Sequence, residues 1–242
     1  MDSIVVLNIG NVWHANPRAS VQDAARRWGA QVVEIDTNLV GELDVCYNKV
    51  FGIDRLRREI PELDGVLYLD ADILIHQSCP NPFEIFLDRT KLYAVTDCDH
   101  SRWDINSRPY QCILKEVTCP WIQMLETKHK WGLTREEIEN RVQWFFNAGV
   151  FLFYPNNSII EIERFITNVP EKEIYGGRYE QALWNYIWRI NKKVQLIDHT
   201  WNTLTSPDLF PDTMNKYVYH FTGIDSRFDG TREKLKTCKW TD

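Results

Sequence analysis

Apolar residues recur along this chain in two rhythms, and their alternation outlines the fold. The segment 4–9 is apolar enough to read as a buried strand, 17–28 as a helix with Pro17 in its first turn, and 31–35 as a second strand. That order begins a βαβ unit. Over 47–60 the residues Val50, Phe51, Ile53, Leu56 and Ile60 return at near-helical spacing, and 65–69 supplies a third strand. Further strands are expected over 91–96 and 149–154, the latter closed by Pro155-Asn156-Asn157. Helices follow over 161–168 and 179–190, with short strands over 194–197 and 217–221. Strands and helices taken in turn predict an α/β fold, a mostly parallel central sheet flanked by helices.

One stretch breaks the rhythm. The segment 97–146 is long and irregular, carries Trp103, Trp121, Trp131 and Trp144 among many polar residues, and has helical character only over part of 134–142. Long excursions of this kind inside a domain are usually functional or mobile. No repeat, low-complexity tract or linker divides the chain, and 242 residues suit one large α/β domain, so a single domain over 1–242 is expected.

Composition narrows the function by exclusion. Hydrophobic residues at 44% and charged residues at 26% are ordinary for a globular protein, and a formal charge of −6 offers no basic field for nucleic acid or an anionic membrane. Six cysteines are scattered without CxxC pairs, which argues for reduced structural thiols rather than a zinc ribbon or redox motif. No stretch approaches the roughly 20 apolar residues of a membrane span, and the N-terminal apolar run is too short for a signal segment, so a cytoplasmic protein is expected. The sequon-like Asn156-Asn157-Ser158 accordingly reads as a turn.

The sharpest chemical feature is LYLDADILI, where an apolar strand runs directly into Asp70-Ala71-Asp72. Open α/β sheets bind ligands at the carboxyl ends of their strands, and two carboxylates there suit Mg²⁺ or Mn²⁺ that keeps positions for substrate phosphate. A solvated turn with an Asp cap is the plain alternative to this DxD motif. Another is the aspartyl-phosphate chemistry of haloacid-dehalogenase-like phosphatases, though these carry Thr or Val where Leu74 stands. A second cluster, Phe145-Phe146-Asn147-Ala148-Gly149-Val150, combines small residues that allow close backbone approach with an Asn that both donates and accepts. Glu180-Gln181 near a helix start and His220-Phe221-Thr222-Gly223 after the last strand complete the set.

In this order the segments resemble glycosyltransferase family 8, which includes glycogenin and bacterial lipopolysaccharide galactosyltransferases, over nearly the whole chain. The resemblance implies a GT-A-type, Rossmann-like fold and a metal-dependent transferase that moves a hexose from a nucleotide sugar, a UDP-hexose, to a hydroxyl of a saccharide or glycoconjugate acceptor. It implies that Asp70, Asp72 and His220 hold Mn²⁺ or Mg²⁺, that Asn147, Glu180 and Gln181 lie near the reacting sugar, and that Asp97 in Ala94-Val95-Thr96-Asp97 touches sugar hydroxyls. Tyr47-Asn48-Lys49 matches a donor-binding segment, which brings in Lys49; Ala71 and Gly223 belong to the matched donor motifs.

Two departures touch the donor end. The family pattern HxxGxxKPW becomes HFTGIDSR here, so Ser226 stands at the phosphate-binding Lys and Arg227, one residue later, is its candidate replacement. Near the N-terminus, where the family stacks an aromatic residue on uracil, the chain reads Asn8-Ile9-Gly10-Asn11-Val12-Trp13-His14; Asn8 and Trp13 are the donor-side candidates, with core packing the other reading of Trp13. The family retains anomeric configuration. No carboxylate here is an obvious inverting base, although Asp97, Asp99 and Glu180 are the ones to consider. The 97–146 insert is expected on the acceptor side. The rival reading is a nucleotide-sugar-binding protein that keeps the fold without turnover.

Overall fold

The computed structural model describes residues 1–9, 15–96, 145–170, 180–204 and 216–221. Its strands are β1 (Ser3–Leu7), β2 (Gln31–Ile35), β3 (Val66–Asp70), β4 (Ile73–Ile75), β5 (Leu92–Thr96), β6 (Phe146–Phe153), β7 (Val194–Leu196), β8 (Thr203–Leu204) and β9 (Val218–His220). The helices are α1 (Ala15–Trp28), α2 (Asn48–Glu59), α3 (Pro82–Ile85), α4 (Ile159–Asn168) and α5 (Glu180–Ile190). Local chemistry sets several ends. Gly29, at φ +67°, stops α1 in the left-handed conformation that glycine adopts without penalty. α2 and α4 end before Ile60 and Val169, each preceding a proline that disfavours helical backbone in the residue before it.

Among the described residues six strands form the main sheet in the order β2-β1-β3-β6-β5-β7, and three form a small second sheet, β4-β9-β8. β1 runs parallel to β2 and β3, and β5 parallel to β7, as the α/β pattern predicts. The exception is β6, antiparallel to both neighbours. Hydrophobicity along β6 could not reveal its direction, because a strand buried on both faces looks the same read either way. The consequence is functional: β6 begins where β3 ends, with Leu69 opposite Val150. Two residues of β5, Ala94 and Thr96, pair with Phe151 and Phe146, so the register shift leaves surplus residues on the β6 side, including Asn147, Ala148 and Gly149.

Side chains alternate between two cores. Val5, Leu7, Val66, Tyr68, Phe151 and Phe153 face α2, α4 and α5, while Ile4, Val6, Leu67, Leu69, Val150 and Leu152 face α1, β4 and β9. The first core is aromatic, with Trp184 and Trp188 of α5 fully buried and edge-on to one another at 5.5 Å between ring centres. Rings of this size anchor α5, and hence Glu180 and Gln181, against the sheet. Among the described residues no helix is long and apolar enough to cross a membrane. Cys46 and Cys79 are free thiols, and burial pushes Cys79 up to about 12, too high for ready reactivity.

Candidate active site

β3 delivers Asp70 at its carboxyl end. Tyr68, two residues earlier and therefore on the same face, donates its hydroxyl to Asp70 Oδ1 at 2.7 Å. Burial first, and then the Asp70 carboxylate, hold the Tyr68 phenol well above its usual range, so it remains a donor. Ala71 makes the turn and packs on the second core. Beyond Asp72 the chain enters β4, which the sequence showed only as apolar residues after the aspartates. β4 pairs antiparallel with β9, Ile73 opposite His220, and Phe221 N donates to Asp72 O at 3.2 Å. This second sheet brings His220 back across 148 positions to the aspartates (220 − 72).

His220 is 3% exposed, with Nε2 lying 3.8 Å from Asp70 Oδ2 and 3.4 Å from Asp72 Oδ1. One ligand atom from each residue falls within 4.8 Å of the others. Asp72 Oδ1 is buried without a hydrogen-bond partner. Two carboxylates and an imidazole converging around an unsatisfied buried oxygen fit a hard divalent cation, and the O,O,N set suits Mn²⁺ or Mg²⁺. Gly149 makes room for them. A Cβ there would stand 2.3 Å from His220 Cε1 and 2.7 Å from Asp70 Oδ2, so the FNAG glycine is required by close approach.

On the other side of β6 the arrangement differs. Lys49, 3% exposed in the first turn of α2, donates to Ala148 O at 3.1 Å and pairs with Glu180 at 3.3 Å, its ammonium 5.3 Å from the Tyr68 ring centre. Burial would lower the Lys49 pKa, but Glu180 and then Asp70 outweigh it and raise it above the usual lysine range. Lys49 is thus committed to Glu180 and to the backbone beside the aspartates. Gln181 is half-buried and its Oε1 accepts the Ala148 N–H at 2.9 Å. Asn147 Oδ1 accepts the Gly149 N–H at 2.9 Å. Asn8, just past β1, has its side-chain amide donated to Glu34 Oε1 and its own Oδ1 buried without a partner. Leu7 is opposite Asp70, so Asn8 sits at the same end of the sheet.

The structure therefore brings together Asp70, Ala71, Asp72, His220, Asn147, Lys49, Glu180 and Gln181, with Asn8 at the adjoining strand end. Trp13, Asp97, Gly223 and Arg227 lie outside the described residues, as do Trp103, Trp121, Trp131, Trp144 and the insert up to residue 144. Three residues were missed in the sequence. Tyr68 was legible from strand periodicity. Asn185, one helical turn after Gln181, grips β6 by donating to Phe146 O and accepting from Phe146 N, both at 2.8 Å. Asn202 gave no local signal, yet it is 2% exposed and touches both His220 and Asn147.

Residues 55–225, more than half of the chain, match the family model described as Glycosyl transferase family 8. The chain belongs to that family. As a family 8 glycosyltransferase it is 25% identical over 201 residues to galactinol synthase 1 of Solanum lycopersicum, covering 76% of this chain and 54% of that protein. It spans about half the length of that relative. Among solved structures, a glycosyltransferase involved in glycosylation of the major capsid of PBCV-1 superposes with a TM-score of 0.63 at 13% identity, covering 98% of this chain and 99% of the other. The galactosyltransferase LgtC, in complex with donor and acceptor sugar analogues, gives 0.52 at 15% identity, over 98% and 95%. These likenesses establish the GT-A fold, and family membership sets aside the phosphatase reading of the two aspartates.

Proposed function

We propose that this family 8 glycosyltransferase moves a hexose from a nucleotide sugar, a UDP-hexose, to a hydroxyl of a saccharide or glycoconjugate, with retention of configuration and with Mn²⁺ or Mg²⁺ held by Asp70, Asp72 and His220. The observation that carries the proposal is the convergence of those three side chains around the unpartnered Asp72 Oδ1. When bound, the cation supplies charge that offsets the negative charge growing on the departing nucleoside diphosphate. Everything else falls to the chain. Tyr68 holds Asp70 Oδ1 and leaves Oδ2 turned toward His220. Gln181 is fixed through its oxygen by the Ala148 N–H and is assigned to the sugar, and Asn147 lies one residue before that anchor. The buried Asn8 Oδ1 is suited to an N–H of the nucleobase.

Retention is supported by the state of Glu180. A carboxylate already engaged by a buried ammonium at 3.3 Å is a poor general base for activating an acceptor hydroxyl. We assign Trp13 to base stacking, Arg227 and Gly223 to the diphosphate, Asp97 to sugar hydroxyls, and the 97–146 insert to the acceptor side. The test is release of nucleoside diphosphate from a panel of nucleotide sugars with Mn²⁺ and after chelation. Slow cation-dependent hydrolysis of one UDP-hexose is expected. Donors that stabilise the protein thermally yet are never cleaved would instead make it a non-catalytic binder.

A further inference from the structure

We propose that Asn202 is a positioning residue that fixes the tautomer and tilt of His220, so that Nε2 presents its lone pair to Asp70 and Asp72; this rests on the metal-site reading above. The argument starts from a backbone amide. Gly149 N–H can only donate, so the Asn147 atom 2.9 Å from it is the carbonyl oxygen. The Asn202 atom 3.0 Å from that same oxygen must then be its NH₂, because two carbonyl oxygens would repel. The other end of the Asn202 amide is consequently the oxygen, and it lies 3.1 Å from His220 Nδ1. A buried oxygen at that distance calls for a hydrogen on Nδ1. Nε2, 3.4 Å from Asp72 Oδ1 and 3.8 Å from Asp70 Oδ2, is then the unprotonated nitrogen of the neutral ring, the one that can ligate.

The opposite tautomer would set an Nδ1 lone pair against the Asn202 oxygen, with both side chains almost wholly buried, and would direct N–H into the space between the carboxylates. The backbone around Asn202 is built to hold it. Its N–H donates to His199 O at 3.2 Å, Asp198 Oδ1 accepts from Thr200 N, and the next residue enters β8, whose backbone pairs in parallel with β9, Leu204 in register with His220. Asn202 thus links a metal ligand to Asn147 in the FNAG segment through one amide.

The experiment uses the full chain with ¹⁵N-labelled histidine, the His220 signals being those lost in His220→Asn. In wild-type protein with the ring neutral, the hydrogen is expected on Nδ1, and it should stay there when Zn²⁺ is added as a diamagnetic probe. Asn202→Leu should move the hydrogen to Nε2 or to a mixture and lower Mn²⁺ affinity by about 10–100-fold, the range for losing the partner of a ligating imidazole. Asn202→Asp keeps an acceptor oxygen for Nδ1 while turning its other oxygen toward Asn147 Oδ1, and it should retain the Nδ1 tautomer and hold Mn²⁺ more tightly than Asn202→Leu does. The inference is overturned by an Nε2-protonated neutral ring in the wild type, which needs no variant to fold. It is overturned equally if Asn202→Leu melts normally and leaves tautomer and Mn²⁺ affinity unchanged. Failure of wild-type protein to bind Mn²⁺ would sink the metal site instead, while the tautomer result would still report on Asn202.

Discussion

Two charged clusters flank the start of β6, and they differ in whether their charges are balanced. On one side Asp70 and Asp72 face a buried imidazole, with Asp72 Oδ1 left unpartnered. On the other, Lys49 and Glu180 neutralise one another at 3.3 Å, and the ammonium gains a carbonyl and an aromatic face besides. In the Lys49–Glu180 pair one carboxylate meets one ammonium, whereas Asp70 and Asp72 are two carboxylates about one imidazole; a buried oxygen without a hydrogen-bond partner occurs on both sides, at Glu180 Oε2 and at Asp72 Oδ1. Acidic residues alone would not have distinguished the two. The difference is charge, two carboxylates against one imidazole, and it supports the proposed cation site at Asp70, Asp72 and His220, while Lys49–Glu180 ties α2 to α5 and, through Ala148 O, to β6.

The contrast can be broken from either side. Asp72→Asn should abolish cation binding and lower turnover by about 10⁴-fold, near 5.5 kcal/mol at about 1.36 kcal/mol per tenfold. Its thermal midpoint without metal should hold or rise, since one of two facing carboxylates is gone; calorimetry beside a cation titration reads both. Lys49→Met should act in the reverse sense, stranding the buried Glu180 carboxylate and destabilising the fold by about 3–5 kcal/mol in denaturant unfolding. The double variant Lys49→Met/Glu180→Gln should recover most of that loss, and a neutral single variant would erase the distinction drawn here. The smallest effect is expected for Tyr68→Phe. Asp70 is 35% exposed, so water can replace the lost hydroxyl, and Mn²⁺ affinity should fall by only about tenfold, the low end for a hydrogen bond to a charged group. An affinity loss as large as that of Asp72→Asn would show Tyr68 doing more than orienting Asp70.

Much of this was visible in the linear pattern. Strand β3 running into Asp70-Ala71-Asp72, the helical spacing of α2 and α5, and the small residues after Phe146 are local features, set by side-chain size and periodicity within a few residues. Family resemblance then tied Asn147, Glu180, Gln181 and His220 to one site, and the described residues among them do converge. Less legible were the fates of apolar residues that serve as strands in an unforeseen sheet. Ile73–Ile75 read only as the end of the aspartate segment, yet as β4 they are what pairs with β9 and returns His220. The 217–221 strand was anticipated, but its place outside the main sheet was not.

By itself, then, the sequence determined the α/β alternation, the helix stops at Gly29 and before Pro61 and Pro170, and the carboxylates at a strand end, because each depends on backbone preferences of neighbouring residues. Tertiary structure decided the antiparallel direction of β6, the neutralisation of Lys49 by a carboxylate 131 positions away, and the amide relay from Gly149 through Asn147 and Asn202 to His220. These depend on which hydrogen-bonding groups end up buried together. A buried donor or acceptor must find a partner wherever the fold provides one, and that partner's place in the chain leaves no periodic trace.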